Sequence, residues 1–280
     1  LTNAGVGRKV IKARELWEKV LVSQMETGNP YMVYKDRANM ASNQKNIGVI
    51  KSSNLCAEII EYSSSDEQAV CNLASIALNK FVDIESPYGY NFKKLGEVVE
   101  LAIENLDNVI GANYYPTQET ENSNSKHRPV GLGVQGLADT YALLGMPFDS
   151  ESAKNINKMI FEQMYYSAIK RSMELAGEKG AYSTFSGSPA SKGILQFDMY
   201  NDETEHSSLN LQWDELKRKV VRNGLRNSLL IALMPTASTS QILGNNECFE
   251  PFNSNMYTRR TLAGEYIVIN KHLVRDLEQI

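Results

Sequence analysis

Cysteine and histidine are scarce in this chain. Its 280 residues hold three cysteines, Cys56, Cys71 and Cys248, and three histidines, His127, His206 and His272. None of them forms a CxxC or HxxxH pair, which disfavours a zinc site and gives no metal ligands to name. An odd, sparse cysteine count without any N-x-[ST] sequon suits a reducing compartment such as the cytoplasm better than secretion. Long apolar runs are also missing. The longest aliphatic stretch, Leu229 to Met234, is far short of a membrane span, and no charged-then-apolar signal opens the chain, so a soluble protein without a membrane partner is expected. Nor is there a basic excess. With net charge −4 and scattered Lys and Arg, a sequence-independent grip on nucleic acid is not expected.

The length that remains suffices for one large domain or two ordinary ones with a substantial core. The chain starts at Leu1 rather than Met and stops at Leu277-Glu278-Gln279-Ile280 with no turn signal, which reads as a piece of something longer. Apolar residues recur at helical spacing from Val10 to Met25 and stop before Gly28-Asn29-Pro30. A second helix follows Asn91, its buried stripe being Leu95, Val98, Val99, Ala102, Ile103, Leu106 and Val109. The spacing predicts a third from about Val134 to Leu144, stopped by Gly145-Met146-Pro147, and a fourth and longest from Ser150 to Leu175. Tyr182 to Gly193, rich in Ser, Gly and Pro, reads as an ordered loop. A short helix from Trp213 to Val221 closes at Gly224. Leu229 to Met234 suits a strand buried on both faces, and Glu265 to Ile269 is another strand. Helices alternating with short buried strands argue for an α/β architecture.

The stretch SSNLCAEI, Ser52 to Ile59, carries chemistry. In an extended segment Asn54, Cys56 and Glu58 share one face, while Leu55, Ala57 and Ile59 share the other and can pin the segment into a core. An isolated cysteine is more often a small buried hydrophobe, a glutamate a solvated charge and an asparagine a turn or cap. Here the carboxylate shares the thiol's face, and a second thiol, Cys71, follows fifteen positions on, although it too reads as a core residue of a strand. Further along, Pro235-Thr236-Ala237-Ser238-Thr239 directly follows the apolar run and precedes Ser240-Gln241-Ile242-Leu243-Gly244. A strand ending in a hydroxyl-rich turn with a short helix behind it directs backbone N–H groups and a helix dipole beyond the strand, which suits an anion. A simple Ser/Thr helix cap is the ordinary alternative.

The segments SNLCAEIIEYSSSDEQAVCNLASIALN, HRPVGLGVQGLAD and MPTASTSQILGNNE, with NMYTRR following, resemble the large catalytic subunit of class I ribonucleotide reductase of the eukaryotic or viral type. The resemblance runs over essentially the whole chain, with several specific motifs in the right order. It implies a ten-stranded α/β barrel of two five-stranded halves, with a finger loop, here about residues 52–60, threaded through the centre. It also implies roles. Cys56 matches the cysteine that becomes a thiyl radical and takes the ribose 3′ hydrogen, Glu58 the base on the 3′ hydroxyl, and Asn54 the amide that holds the ribose hydroxyls, with Ser53 and Leu55 beside it at the substrate. Cys71 matches one member of the thiol pair that supplies reducing electrons, and Pro235, Thr236, Ala237, Ser238 and Thr239 match the turn holding the substrate diphosphate. Cys248 matches no family role and reads as structural.

The chemistry explains these residue types. S–H and activated C–H bonds are of comparable strength, so a thiyl radical takes a carbon-bound hydrogen reversibly, and a buried finger keeps it from water. Loss of the 2′ hydroxyl as water is easier when the 3′ hydroxyl gives up its proton to a carboxylate. On the resemblance, the partner of Cys71, the ATP cone, the first half-barrel, the specificity loops that bind ATP and dNTP effectors, and the C-terminal tail all lie outside this sequence. The finger and much of the second half-barrel remain. The reading is a ribonucleoside-diphosphate reductase core, inactive alone, needing the remaining segments of the large subunit, a metal-containing small subunit for the radical and thioredoxin or glutaredoxin as reductant, and homo-oligomeric when complete. The chain itself would hold no cofactor. The alternative is a non-catalytic nucleotide-binding or interaction module derived from a reductase. Intact Asn54, Cys56, Glu58 and Cys71 argue against it, truncation for it. A glycyl-radical enzyme sharing the barrel would leave the diphosphate turn without purpose.

Overall fold

The computed structural model describes residues 9–200 and 209–280; His206 lies outside them. In chain order the elements are α1 (Ala13–Thr27), α2 (Lys35–Met40), β1 (Asn72–Ala77), α3 (Phe92–Ala112), α4 (Gln118–His127), β2 (Val130–Gln135), α5 (Leu137–Leu143), α6 (Glu151–Lys179), α7 (Trp213–Asn223), α8 (Thr239–Leu243), β3 (Met256–Thr261), β4 (Gly264–Ile269) and α9 (Lys271–Leu277). The two longest helices begin at polar caps. Asn91 accepts the Lys94 N–H at 2.9 Å, and Ser150 the Ala153 N–H at 3.2 Å, each satisfying a donor that a helix start leaves free. α3 buries Leu95, Val99, Ile103, Leu106 and Ile110, close to the expected stripe, except that Val109 is exposed. α6 buries Ile156, Met159, Ile160, Met164, Ala168 and Ile169 and runs one turn further than the spacing predicts.

These helices back a parallel sheet. β1 and β2 pair in parallel from Asn72 with Val130 to Ala77 with Gln135. On the other edge of β2 the apolar run joins through a parallel bridge between Leu132 and Ile231, with the Val130 and Leu132 N–H groups donating to the carbonyls of Leu229 and Leu230 at 2.9 Å. β2 is therefore the middle of three parallel tracks. Residues 229–234 were expected to be buried on both faces; instead Leu230, Ala232 and Met234 are buried while Leu229, Ile231 and Leu233 are half-buried. Val130, Leu132 and Val134 point into the core formed with α3 and α6. The opposite face is kept open by glycine. A Cβ on Gly131 would meet the Cys71 Sγ at 2.8 Å and the Ala232 Cβ at 2.9 Å, and one on Gly133 the Met234 Sδ at 2.6 Å. The side chains of the flanking tracks fill that space.

The helix expected over Val134–Leu144 is corrected: Val134 and Gln135 end β2, and α5 starts only at Leu137. Gly136, at φ +74°, makes the break, a conformation glycine takes without strain. The strand, VGLGVQ, has no alternation of polar with apolar residues to betray it, because it is buried on both faces. Among the described residues no sheet closes; the sheets are β1–β2 and the antiparallel hairpin β3–β4, in which β4 matches the expected strand.

Below the sheet a buried ionic knot ties the scaffold. Asp107 of α3, 1% exposed, accepts from Arg128 Nε at 2.9 Å and Nη2 at 2.7 Å, and from Asn227 Nδ2 at 3.1 Å, with Arg226 also within 3.4 Å. By contrast α1 forms where the spacing predicts and ends at Gly28, yet it buries no residue. Leu16, Trp17 and Leu21, on the expected apolar stripe, stand about half-exposed.

Candidate active site

Residues 51–60 do not form an extended strand. The chain turns at Leu55–Cys56, with the Ala57 N–H donating to the Asn54 carbonyl at 3.2 Å and Ala57 at φ +64°. Asn54 causes the turn: its Oδ1 accepts the Ile59 N–H at 3.0 Å, a local side-chain-to-backbone bond that competes with strand pairing. The Ser53 hydroxyl closes the loop by donating to the Ile59 carbonyl at 2.7 Å. The expected sharing of one face by alternation is therefore corrected. So is the burial of Leu55, which is 88% exposed at the tip beside an exposed Cys56. Asn54 and Glu58 still meet, but through the turn: Asn54 Nδ2 donates to Glu58 Oε2 at 2.7 Å.

Glu58 and Cys71 line one cavity of about 770 Å³, walled by Ile60, Tyr165, Leu229 and Ile231. Cys71 sits just before β1, on the sheet face cleared by Gly131. Burial, then the carboxylates of Glu61 and Glu58, push its thiol far above the usual range, so it is a neutral S–H at physiological pH. Cys56 and residues 235–239 do not line that cavity. The structure thus brings Glu58 and Cys71 to one cavity, with Asn54 bonded to Glu58, and leaves Cys56 at the loop tip and the hydroxyl-rich turn further along the same sheet.

That turn follows the third track as the sequence predicts, and α8 begins behind it at Thr239. Thr236 is buried at φ +56°, and its hydroxyl is not directed outward: Oγ1 accepts the Cys248 N–H at 2.8 Å. Pro235, Ala237, Ser238 and Thr239 are exposed. Cys248 is buried, and burial raises its thiol to about 11, in keeping with a structural residue whose backbone pins the turn.

Sequence reasoning missed a polar chain connecting the strand ends to this turn. Gln135, 1% exposed, donates from Nε2 to the Ser75 hydroxyl at 2.9 Å and accepts from Asn245 Nδ2 at 3.1 Å; Ser75 in turn lies 3.4 Å from the Thr239 hydroxyl. The signal was the polar residue closing an otherwise apolar and glycine strand. Glu61, in Ile59-Ile60-Glu61-Tyr62, was also missed. Among the described residues no cluster of His, Cys, Asp and Glu could hold a metal ion, and no helix is long and apolar enough to cross a membrane.

A parallel sheet backed by helices, with the Cys71 thiol on its glycine face and Glu58, bonded to Asn54, lining the same cavity, fits the class of α/β barrel enzymes. The chain belongs to the ribonucleotide reductase family: the model of its barrel domain matches residues 1–280. It is 59% identical over 272 residues to the ribonucleoside-diphosphate reductase large subunit of Plasmodium falciparum, covering 97% of this chain and 33% of that protein. It is 58% identical over 272 residues to large chain 2 of Saccharomyces cerevisiae (96% of this chain, 31% of that protein), and 54% identical over 291 residues to the large subunit of Arabidopsis thaliana (98% and 35%). The chain spans about a third of the length of these relatives. The resemblance carried by the sequence motifs holds.

Proposed function

We propose that this chain is the finger and part of the second half of the ten-stranded catalytic barrel of a ribonucleoside-diphosphate reductase large subunit, which reduces ribonucleoside diphosphates to deoxyribonucleoside diphosphates. The observation that carries the reading is the Asn54–Glu58 hydrogen bond on the Cys56 loop, with Glu58 lining the cavity that holds Cys71. The Cys56 thiyl radical takes the 3′ hydrogen and becomes a thiol. Glu58 accepts the 3′ hydroxyl proton, and the 2′ hydroxyl leaves as water. Cys71 and a second cysteine from outside this chain supply two electrons and two protons, one proton leaving with the 2′ hydroxyl as that water and one hydrogen added at C2′, and become a disulfide; Glu58 then returns its proton to the 3′ oxygen, and Cys56 returns the hydrogen to C3′ and is again a radical. Asn54 aligns Glu58, Ser53 and Leu55 border the substrate, and Pro235 to Thr239 receive the diphosphate.

A metal-containing small subunit supplies the radical, thioredoxin or glutaredoxin in the cytoplasm reduces the disulfide, and ATP and dNTP effectors act through segments beyond this sequence in a homo-oligomeric subunit. The test uses the complete large subunit with its small subunit. Glu58→Gln is expected to abolish turnover while diphosphate binding persists, because the amide keeps the shape but takes no proton. Turnover within a factor of two of wild type would reject the assignment.

A further inference from the structure

Glu61 is a buried acid to which the steps above give no part. It is 4% exposed, and neither carboxyl oxygen has a hydrogen-bond partner or accessible surface. No segment from elsewhere could reach those oxygens without rearrangement. Its backbone is held firmly: the next residue, Tyr62, donates its N–H to Gln44 Oε1 at 2.8 Å, and the fully buried Gln44 donates to the Ser228 hydroxyl at 3.1 Å. An ionised carboxylate in such a place, without a cation or donor, is costly, so the group stays a neutral acid. Burial pushes it up to about 8, partly opposed by the nearby Val70 backbone N–H, which makes no full hydrogen bond to it. Val70 precedes Cys71, and Glu61 lies close enough to that thiol for its charge to act on it. The ionisable groups acting on Cys71 are Glu61 and, more weakly, Glu58; both are acidic.

We propose that Glu61 is a positioning residue for Cys71, permitting thiol–disulfide exchange there while it is neutral and opposing it once ionised. The inference rests on reading Cys71 as a redox thiol. When a dithiol reductant restores the pair, its thiolate forms a new S–S bond to one sulfur and the old S–S bond breaks. The departing sulfur keeps the electron pair and then takes a proton from solvent, and the reductant's second thiol closes its own disulfide, so two electrons pass in all. If Cys71 departs, it is briefly an anion beside Glu61. A neutral acid tolerates that anion and a carboxylate repels it.

The test is alkylation of Cys71 by iodoacetamide in the reduced complete subunit, followed by peptide mass spectrometry from pH 6.5 to 9.5. In wild type the rate is expected to rise about tenfold per pH unit at first, following the thiolate fraction, and then to bend downward near pH 8. Glu61→Gln and Glu61→Leu remove the bend, so each variant matches wild type at pH 6.5 and exceeds it by roughly fivefold or more at pH 9.5. The bend in wild type stands as evidence even if a variant fails to fold. A wild-type profile straight through pH 8, or variant profiles parallel to it, overturns the proposal. The parent reading fails separately: it falls if Cys71→Ser keeps turnover with a dithiol reductant, whereas an essential Cys71 with parallel profiles removes only the role of Glu61.

Discussion

The wall built from α3, α6 and the parallel tracks and the loop carrying Cys56 differ in what holds them. In the wall, Leu95, Val99, Ile103, Ile160, Met164 and Leu132 have essentially no exposure, and a buried aspartate joins residues from three parts of the chain. In the loop, Leu55 and Cys56 are exposed, and the shape rests on three local bonds made by Ser53 and Asn54. α1 resembles the loop more than the wall, with Trp17 and Leu21 half-exposed. The wall is self-sufficient because its apolar faces meet partners within the chain. The loop and α1 show apolar and reactive groups that nothing among the described residues covers. Stability and chemistry are thus assigned to different residues, and substitutions should separate them.

The largest effect on stability is expected from Asp107→Ala. Removing the carboxylate leaves Arg128 and Arg226 partly buried without their counter-charge, at about 3–5 kcal/mol, seen as loss of folded complete subunit at ordinary temperature. A pH effect follows for Glu61. Its folded value, raised to about 8 from an ordinary 4.5, means that between those limits the folded protein holds a proton the unfolded chain has released. Stability therefore falls as pH rises across that window, with a limiting slope of about 1.4 kcal/mol per unit, and flattens above it. Glu61→Gln is expected to flatten the dependence, read from thermal midpoints between pH 5.5 and 8.5. Gln135→Leu strands the Asn245 amide and removes the donor to Ser75, costing about 1–3 kcal/mol, and loosens the turn at Thr239, measured as a higher KM for a diphosphate substrate. Leu55→Ser should change the thermal midpoint least, within about 0.5 kcal/mol, because an exposed tip loses no burial. A large loss there would make the loop part of the wall and erase the contrast.

Much of the scaffold was legible because long amphipathic helices announce themselves: the starts after Asn91 and near Ser150, the stops at Gly28 and Gly224, and most of the α3 stripe fell where spacing put them. The failures have local causes. β2 was hidden because its face toward Cys71 is glycine rather than polar, leaving no polar–apolar alternation, and because its other face is wholly buried. The loop was misread because Asn54 bonds its own downstream backbone, which period-two reasoning ignores. The stripe on α1 was correct as a pattern and wrong as a burial, since a pattern states what a face needs and not what covers it. At the site, Asn54, Glu58 and Cys71 could be selected by residue type and order. Glu61 and Gln135 could not, because only packing distinguishes a buried acid or amide from a solvated one.

The most direct test of the account is turnover of the complete large subunit carrying Cys56→Ser, assayed with its small subunit and a dithiol reductant alongside binding of a ribonucleoside diphosphate. A hydroxyl cannot replace the thiol in reversible hydrogen abstraction, so the account predicts no detectable deoxyribonucleotide with substrate binding retained. Deoxyribonucleotide formed at a rate near wild type would contradict it, and the exposed cysteine at the loop tip would then have no part in the reaction.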